Sequence, residues 1–358
     1  MKILFFTNIP SPYRVDFFNE LSTMCDLFVL FEAKVDLECP RNFAPKEQIQ
    51  FKHHFLSESK SYNNLILSGL WFVLTSKYDR LILHTWYTRT QICLIVILRL
   101  LNKKYWIETD GNFMDSNESF LKKRFKRWLL CGAEGIFSPS KQSDDYFISY
   151  RIDKEKIHRY TFTSIRDNDV LTKPIDPFEK IEIRNKIGIE KGKKMVLAVG
   201  RFIPRKGFDV LIKACTADRN TVFVGGEPTQ EYLHLIKELK LEEYVLFIKH
   251  CSKIELSDYY KAADLFVLPT RYDIWGLVIN EAMSYGLPVI TTEWCGAGLE
   301  VLDNQDITIV PSDDVESLKI SISKLLNNEE LRGKIGVRNL NYAREHTIEK
   351  MAKEHILI

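Results

Sequence analysis

The chain has 358 residues, of which 45% are hydrophobic and 27% charged, with a formal charge of +2. At ~100–200 residues per domain this length suits two folded domains, and the composition excludes a disordered, collagenous or low-complexity chain. A charge this small demands no nucleic-acid partner. Its distribution is uneven, with 24 Lys and Arg against 20 Asp and Glu through residue 170 and 26 against 28 afterwards, so the front half is the better suited to an anionic surface.

The opening run Lys2–Thr7 leads to Asn8 and Pro10 and reads as a buried first strand rather than a secretory leader. Leu27–Phe31, Arg80–His84, Tyr105–Thr109 and Gly135–Ser138 are the further strands expected in the front half, with helices over 13–24, 62–76, 88–102, 117–130 and 140–150. Ile92–Leu101, the longest apolar run, is broken by Arg99 and is half of the ~20 residues a membrane span needs, so no transmembrane segment is expected. Lys173–Pro177, with two prolines, reads as a linker. A second series follows, with strands at Met195–Val199, Thr221–Val224, Val245–Ile248, Leu265–Leu268, Pro288–Thr291 and Ile307–Val310. Helices are expected there over 206–216, 229–240, 255–262, 277–285 and 314–327.

Alternation on this scale implies parallel sheets covered on both faces, because a parallel crossover needs a helix's worth of chain. The expected architecture is α/β, with two Rossmann-like domains facing a cleft. The domains are 1–172 and 173–340, and a helix at 341–358 crosses back to the first. Seven scattered cysteines without a C-x-x-C pair argue against metal clusters and a disulfide framework, and fit a reducing cytoplasm.

Two segments carry chemistry. Val196–Leu211 runs from a strand through a tight loop into a helix. Gly200 ends the strand, and Arg201 and Lys206 stand at the carboxyl edge of the sheet, where open α/β folds bind ligands. Cations beside free helix-start amides suit a diphosphate; solvated surface cations are the plain alternative. In Leu268–Ile290, Gly276 marks a loop-to-helix junction, Asp273 lies in the loop and Glu281 in the helix's second turn. A carboxylate suits vicinal hydroxyls, and Gly276 lets a phosphate approach the helix start beside Leu277.

Gly200-Arg201…Lys206-Gly207 and Asp273-x7-Glu281 resemble the G-R-x4-K-G loop and E-x7-E motif of glycosyltransferase family 4, which has the GT-B fold, with Asp in place of the first Glu. The resemblance implies a retaining hexosyltransferase that uses a nucleotide-sugar, a UDP-sugar by family frequency, without a metal in the active site. Arg201 and Lys206 would hold the donor diphosphate, Glu281 the ribose and Asp273 the sugar hydroxyls. Surface polysaccharide assembly on a lipid-linked or saccharide acceptor follows from the same resemblance. Another GT-B enzyme, such as an epimerase or inverting transferase, and a catalytically inactive sugar-nucleotide-binding protein stay open as alternatives.

On the amino-terminal side, many family relatives have a His at the end of a strand that helps hold the donor sugar or acceptor hydroxyl. Asp110, after Tyr105–Thr109, is the nearest positional match, with Glu108 second because strand alternation points both the same way. Tyr13 and Arg14, in the stiff loop after the first strand, are acceptor-side candidates. His84 reads as a structural histidine. In Phe120–Leu130 a helix would turn Leu121, Phe125, Trp128 and Leu129 inward and aim Lys122, Lys123, Arg124, Lys126 and Arg127 at an anionic membrane surface. A peripheral protein at the inner face of the plasma membrane is the expectation.

Overall fold

The computed structural model describes residues 1–34, 49–57, 65–84, 86–114, 117–189, 192–302 and 305–358. The chain divides into two compact units, Met1–Ser164 with His346–Ile358 and Ile165–Glu345.

The first unit runs β1 (Lys2–Thr7), α1 (Pro12–Ser22), β2 (Asp26–Phe31), β3 (Lys52–Phe55), α2 (Leu65–Thr75), β4 (Arg80–His84), α3 (Arg89–Leu100), β5 (Trp106–Glu108), α4 (Phe120–Cys131), β6 (Gly135–Ser138), α5 (Lys141–Ser149) and β7 (Ile157–Arg159). All seven strands are parallel, in the order β3-β2-β1-β4-β5-β6-β7. The central strands are apolar runs buried on both faces, which is why they are legible as strands. Leu4, Phe6, Leu83, Ile107 and Ile136 join Leu94, Ile95 and Leu98 of α3 in one core cluster. The sequence reading misses β3 and β7. Both are edge strands, and their residues Lys-His-His-Phe and Ile-His-Arg show neither an apolar run nor alternation.

The second unit holds α6 (Pro177–Lys186), β8 (Lys194–Val199), α7 (Phe208–Ala214), β9 (Arg219–Val224), α8 (Gln230–Glu238), β10 (Val245–Ile248), α9 (Lys253–Ala262), β11 (Leu265–Leu268), α10 (Leu277–Ser284), β12 (Val289–Thr292), α11 (Gly296–Val301), α12 (Gln305–Thr308), β13 (Ile309–Val310), α13 (Val315–Asn327) and α14 (Glu329–Glu345). Its strands are parallel in the order β10-β9-β8-β11-β12-β13, the doubly wound order of dinucleotide-binding sheets. Pro177, expected in a linker, is the first residue of α6, where a proline loses no hydrogen bond. The strand expected at Ile307–Val310 is shorter, because a helical turn occupies residues 305–308. The tail breaks into α14 and α15 (Ile348–Leu357), and α15 packs on α1 within the first unit. His355 of α15 is fully buried and stacks on Phe137 at 4.3 Å.

Both sheets change winding direction at one place, between β1 and β4 and between β8 and β11. The loops at the carboxyl ends of such strands form the crevice where doubly wound sheets bind ligands; Arg201 and Lys206 follow β8 and Asp273 follows β11, while Tyr13 and Arg14 open α1 after β1 and Asp110 follows β5.

Candidate functional site

In the second unit the loops after β8 and β11 are stitched together. The Arg205 carbonyl accepts from the Arg271 amide at 2.8 Å and the Thr270 hydroxyl at 2.9 Å, and the Arg205 guanidinium donates to the Tyr272 carbonyl at 3.0 Å. Gly207 makes this closeness possible. Its φ is +66°, and a Cβ there would stand 2.0 Å from the Pro269 carbonyl oxygen, so no other residue fits. Arg271 locks the outer side of the loop with paired hydrogen bonds to Asp209 at 2.9 and 2.7 Å and one to Asp313 at 2.7 Å.

This stitching brings Lys206 against Asp273, 67 positions away in sequence. Nζ donates to Oδ2 at 2.5 Å, and both side chains are largely buried. The cation expected on a phosphate and the carboxylate expected on a sugar therefore form one ion pair. An ammonium has three donors, so after serving Asp273 it can still offer two hydrogens to another anion. Asp273 is itself fixed by its backbone, whose amide bonds to the Trp294 carbonyl at 2.8 Å and whose carbonyl accepts from Gly296 at 3.1 Å. Gly276, at φ +96°, begins α10 with no side-chain cap, and a Cβ there would meet Cys295 Sγ at 2.8 Å. The helix start is closed by its own backbone, the Ile279 amide donating to the Gly276 carbonyl at 2.9 Å. Glu281 is half-buried on α10 and accepts from the Tyr260 hydroxyl at 3.0 Å. Gly200 ends β8, and Arg201 beside it is exposed. A recess of about 860 Å³ along α8, lined by Pro204, Asp209 and Arg271 among others, lies outside this cluster and includes none of Arg201, Lys206, Asp273 and Glu281.

In the first unit the corresponding loops hold a buried charge network. Arg14, on α1, donates to Glu108 Oε1 at 2.7 Å and also to Asp110. Tyr13 donates its hydroxyl to Asp110 Oδ2 at 2.9 Å. His84, the last residue of β4, has Nδ1 2.8 Å from the Thr7 hydroxyl and Nε2 3.1 Å from Asp110 Oδ1. His355 Nε2 stands 3.5 Å from Glu108 Oε1. Burial alone would raise the pKa of Glu108. The Arg14 guanidinium, with His355 and His84, more than reverses this and holds it at about 2. Asp110 is lowered further for the same reason, burial opposing and Arg14 and His84 prevailing.

Sequence reasoning gave Asp110 and Glu108, and separately Tyr13 and Arg14, as acceptor-side candidates, and the structure joins the two pairs in one network. Arg14 and Glu108, expected on the acceptor side, are 1% and 0% exposed and reach each other instead of solvent. Asp110, 27% exposed, is the member that opens outward. His84 was missed as a site residue. The signal available was its position as the last residue of a buried strand beside the first, the strand end that faces the ligand crevice.

On α4 the expected facing is corrected. Only Leu129 and Leu130 are buried, and Leu121, Phe125 and Trp128 are exposed together with the cations, because the helix meets the unit's core only at its last turn. Lys126 turns back to Glu118 at 2.5 Å, whereas Lys122, Lys123, Arg124 and Arg127 remain exposed. No described helix is long and apolar enough to cross a membrane.

Residues 179–341 match the family model of glycosyl transferases group 1. Mannosylfructose-phosphate synthase of Agrobacterium fabrum is 33% identical over 186 residues, 48% of this chain and 40% of the relative. A GDP-mannose-dependent alpha-(1-6)-phosphatidylinositol monomannoside mannosyltransferase of Mycolicibacterium smegmatis is 31% identical over 182 residues, 47% of each chain. The matched segment therefore spans less than half the length of these relatives. Over the whole chain, the crystal structure of Anabaena HepE in complex with UDP superposes with a TM-score of 0.81 at 18% identity, covering 100% of this chain and 99% of that one. The fold is GT-B: two Rossmann-type units in one chain.

Proposed function

We propose, from the match of residues 179–341 to the group 1 glycosyl transferases, that the chain transfers a hexosyl unit from a nucleotide-sugar to an acceptor hydroxyl with retention of anomeric configuration. The observation that carries this reading is the Lys206–Asp273 pair, held where the loops after β8 and β11 meet. One lysine hydrogen goes to Asp273, and the others face the donor diphosphate with Arg201. Departure of the nucleoside diphosphate builds charge on its phosphate oxygens, and donors already fixed in place stabilise that charge without reorganising. Asp273 keeps Oδ1 for the hydroxyls of the transferred sugar, Glu281 takes the ribose, and the start of α10 after Gly276, which carries no Cβ, is assigned to the phosphates. A UDP-sugar is the donor proposed, in keeping with the UDP held by the HepE structure.

In the first unit Asp110, oriented by Tyr13, Arg14 and His84, is assigned to the acceptor hydroxyl. The attacking proton is assigned to the leaving phosphate oxygen, which leaves the sugar on the face that the hydroxyl approaches. The acceptor proposed is lipid-linked or a saccharide in bacterial surface polysaccharide assembly. The phosphatidylinositol mannoside made by the M. smegmatis relative is an acceptor of that kind, and the exposed basic and aromatic face of α4 is the feature that would meet the membrane.

The reading is tested by incubating the protein with nucleotide-sugars and candidate acceptors, following nucleoside diphosphate release and reading the product anomer by NMR. We expect a product with the donor's anomeric configuration and a rate unchanged by EDTA, since Arg201 and Lys206 are assigned the charge that a metal carries in other transferases. An inverted linkage removes the retaining mechanism. Epimerised free donor, or donor binding without turnover, removes transfer itself.

A further inference from the structure

A recess of about 590 Å³ opens on the first unit between the end of α3, one side of α4 and the residues after α5. Its lining includes Arg99, Lys123, Arg124, Arg127 and Arg151 and contains no carboxylate. Among the described residues, Lys123, Arg124, Arg127 and Arg151 make no ion pair. Five cations around one hollow repel one another, and the arrangement becomes favourable when an anion enters. Arginine's planar fork suits phosphate oxygens in particular. Arg99 is anchored rather than free to swing, since it donates to the Trp128 carbonyl and stacks on the Trp128 ring at 4.5 Å.

What surrounds the recess selects among anions. Leu100 and Leu101 at the end of α3 are 75% and 51% exposed, and Phe120 and Leu121 at the start of α4 are 75% and 76% exposed. Of these apolar side chains Phe120 lines the recess itself, as does Trp128, on whose ring Phe125 stacks with centroids 6.3 Å apart. A free phosphate gains nothing from exposed apolar side chains, whereas a lipid presents an anionic head and hydrocarbon in this arrangement. We propose that this recess seats the phosphate of an anionic phospholipid headgroup, with the apolar rim entering the acyl boundary around it. The proposal deepens the membrane part of the functional reading and rests on that part alone.

The test uses the full chain and sedimentation with vesicles of phosphatidylcholine, with and without phosphatidylglycerol. The wild type is expected to partition onto the phosphatidylglycerol vesicles and to stay there when inorganic phosphate replaces chloride at equal ionic strength. A cation at an anionic surface contributes roughly a fivefold factor in partition, so the Arg127→Ala/Arg151→Ala double variant should bind about 25-fold more weakly. Unchanged melting and UDP titration would show that this variant is folded. Equal partition of variant and wild type overturns the headgroup site. Wild type that ignores phosphatidylglycerol overturns it together with the membrane reading, and displacement by inorganic phosphate overturns the lipid as occupant. Vesicle partition needs no donor, so a wild type that binds vesicles but turns over no nucleotide-sugar overturns the transfer reaction alone.

Discussion

Lys206→Ala should lower kcat by about two orders of magnitude, the usual cost of removing one fixed charged donor from a developing anion. The loss comes from two sources. One is the missing ammonium at the proposed diphosphate site; the other is Asp273, which loses the partner at 2.5 Å that holds it and keeps, among the described residues, Arg205 at 3.9 Å as its ion-pair neighbour. Lys206→Arg would keep the charge but place a bulkier fork where Nζ now fits, so partial recovery is expected rather than full activity. Arg201, exposed on the same loop, is assigned to the phosphate, whereas Lys206 also holds Asp273, so Arg201→Ala should disturb the donor sugar's position less. Steady-state kinetics with saturating acceptor give the comparison, and near-wild-type turnover in both alanine variants would refute the assigned phosphate loop.

Arg14→Ala should destabilise the first unit heavily. It removes the shared partner of the buried Glu108 and the partly exposed Asp110, leaving His355 near the first and His84 and the Tyr13 hydroxyl near the second. Breaking a buried ion pair from one side costs about 3–5 kcal/mol, which for a unit of this size lowers the melting temperature by about 10 °C. Scanning calorimetry reads it directly, and a first-unit transition that does not move would show that the network carries little stability. The same network sets an acid limit. Glu108 falls from its ordinary 4.5 to about 2 on folding, and Asp110 is lowered as well. A carboxylate whose pKa is lowered by folding contributes stability that is complete above its unfolded pKa. That contribution disappears as the pH falls through the folded value. The first unit should therefore weaken between about pH 4.5 and 2, and Arg14→Ala should remove most of that dependence.

The interior of each sheet was legible because buried parallel strands are near-continuous apolar runs. β1, β4 and β6 follow the sequence reading residue for residue, and so do β10 and β11. The edges of the first sheet were not, since Lys52–Phe55 and Ile157–Arg159 owe their strand conformation to a neighbour and not to their own composition, whereas the edge strand β10, Val-Leu-Phe-Ile, is itself an apolar run. Motif residues could be placed on loops from glycine and strand ends. Pairing could not be read, because Lys206 meets Asp273 across 67 positions and Arg14 meets Glu108 across 94. His84 looked isolated in sequence for the same reason, its partners Thr7 and Asp110 being supplied by other strands. The α4 stripe shows a further limit. Periodicity identifies an apolar arc but not whether the fold covers it, and here only the last turn is covered.

Isothermal titration calorimetry of UDP and GDP against wild type and Lys206→Ala tests the central assignment most directly. The account predicts that the wild type binds a nucleoside diphosphate and that the variant binds it at least tenfold more weakly, a difference of about 1.4 kcal/mol. Absence of binding by both nucleotides, or binding that the variant leaves unchanged, would contradict it.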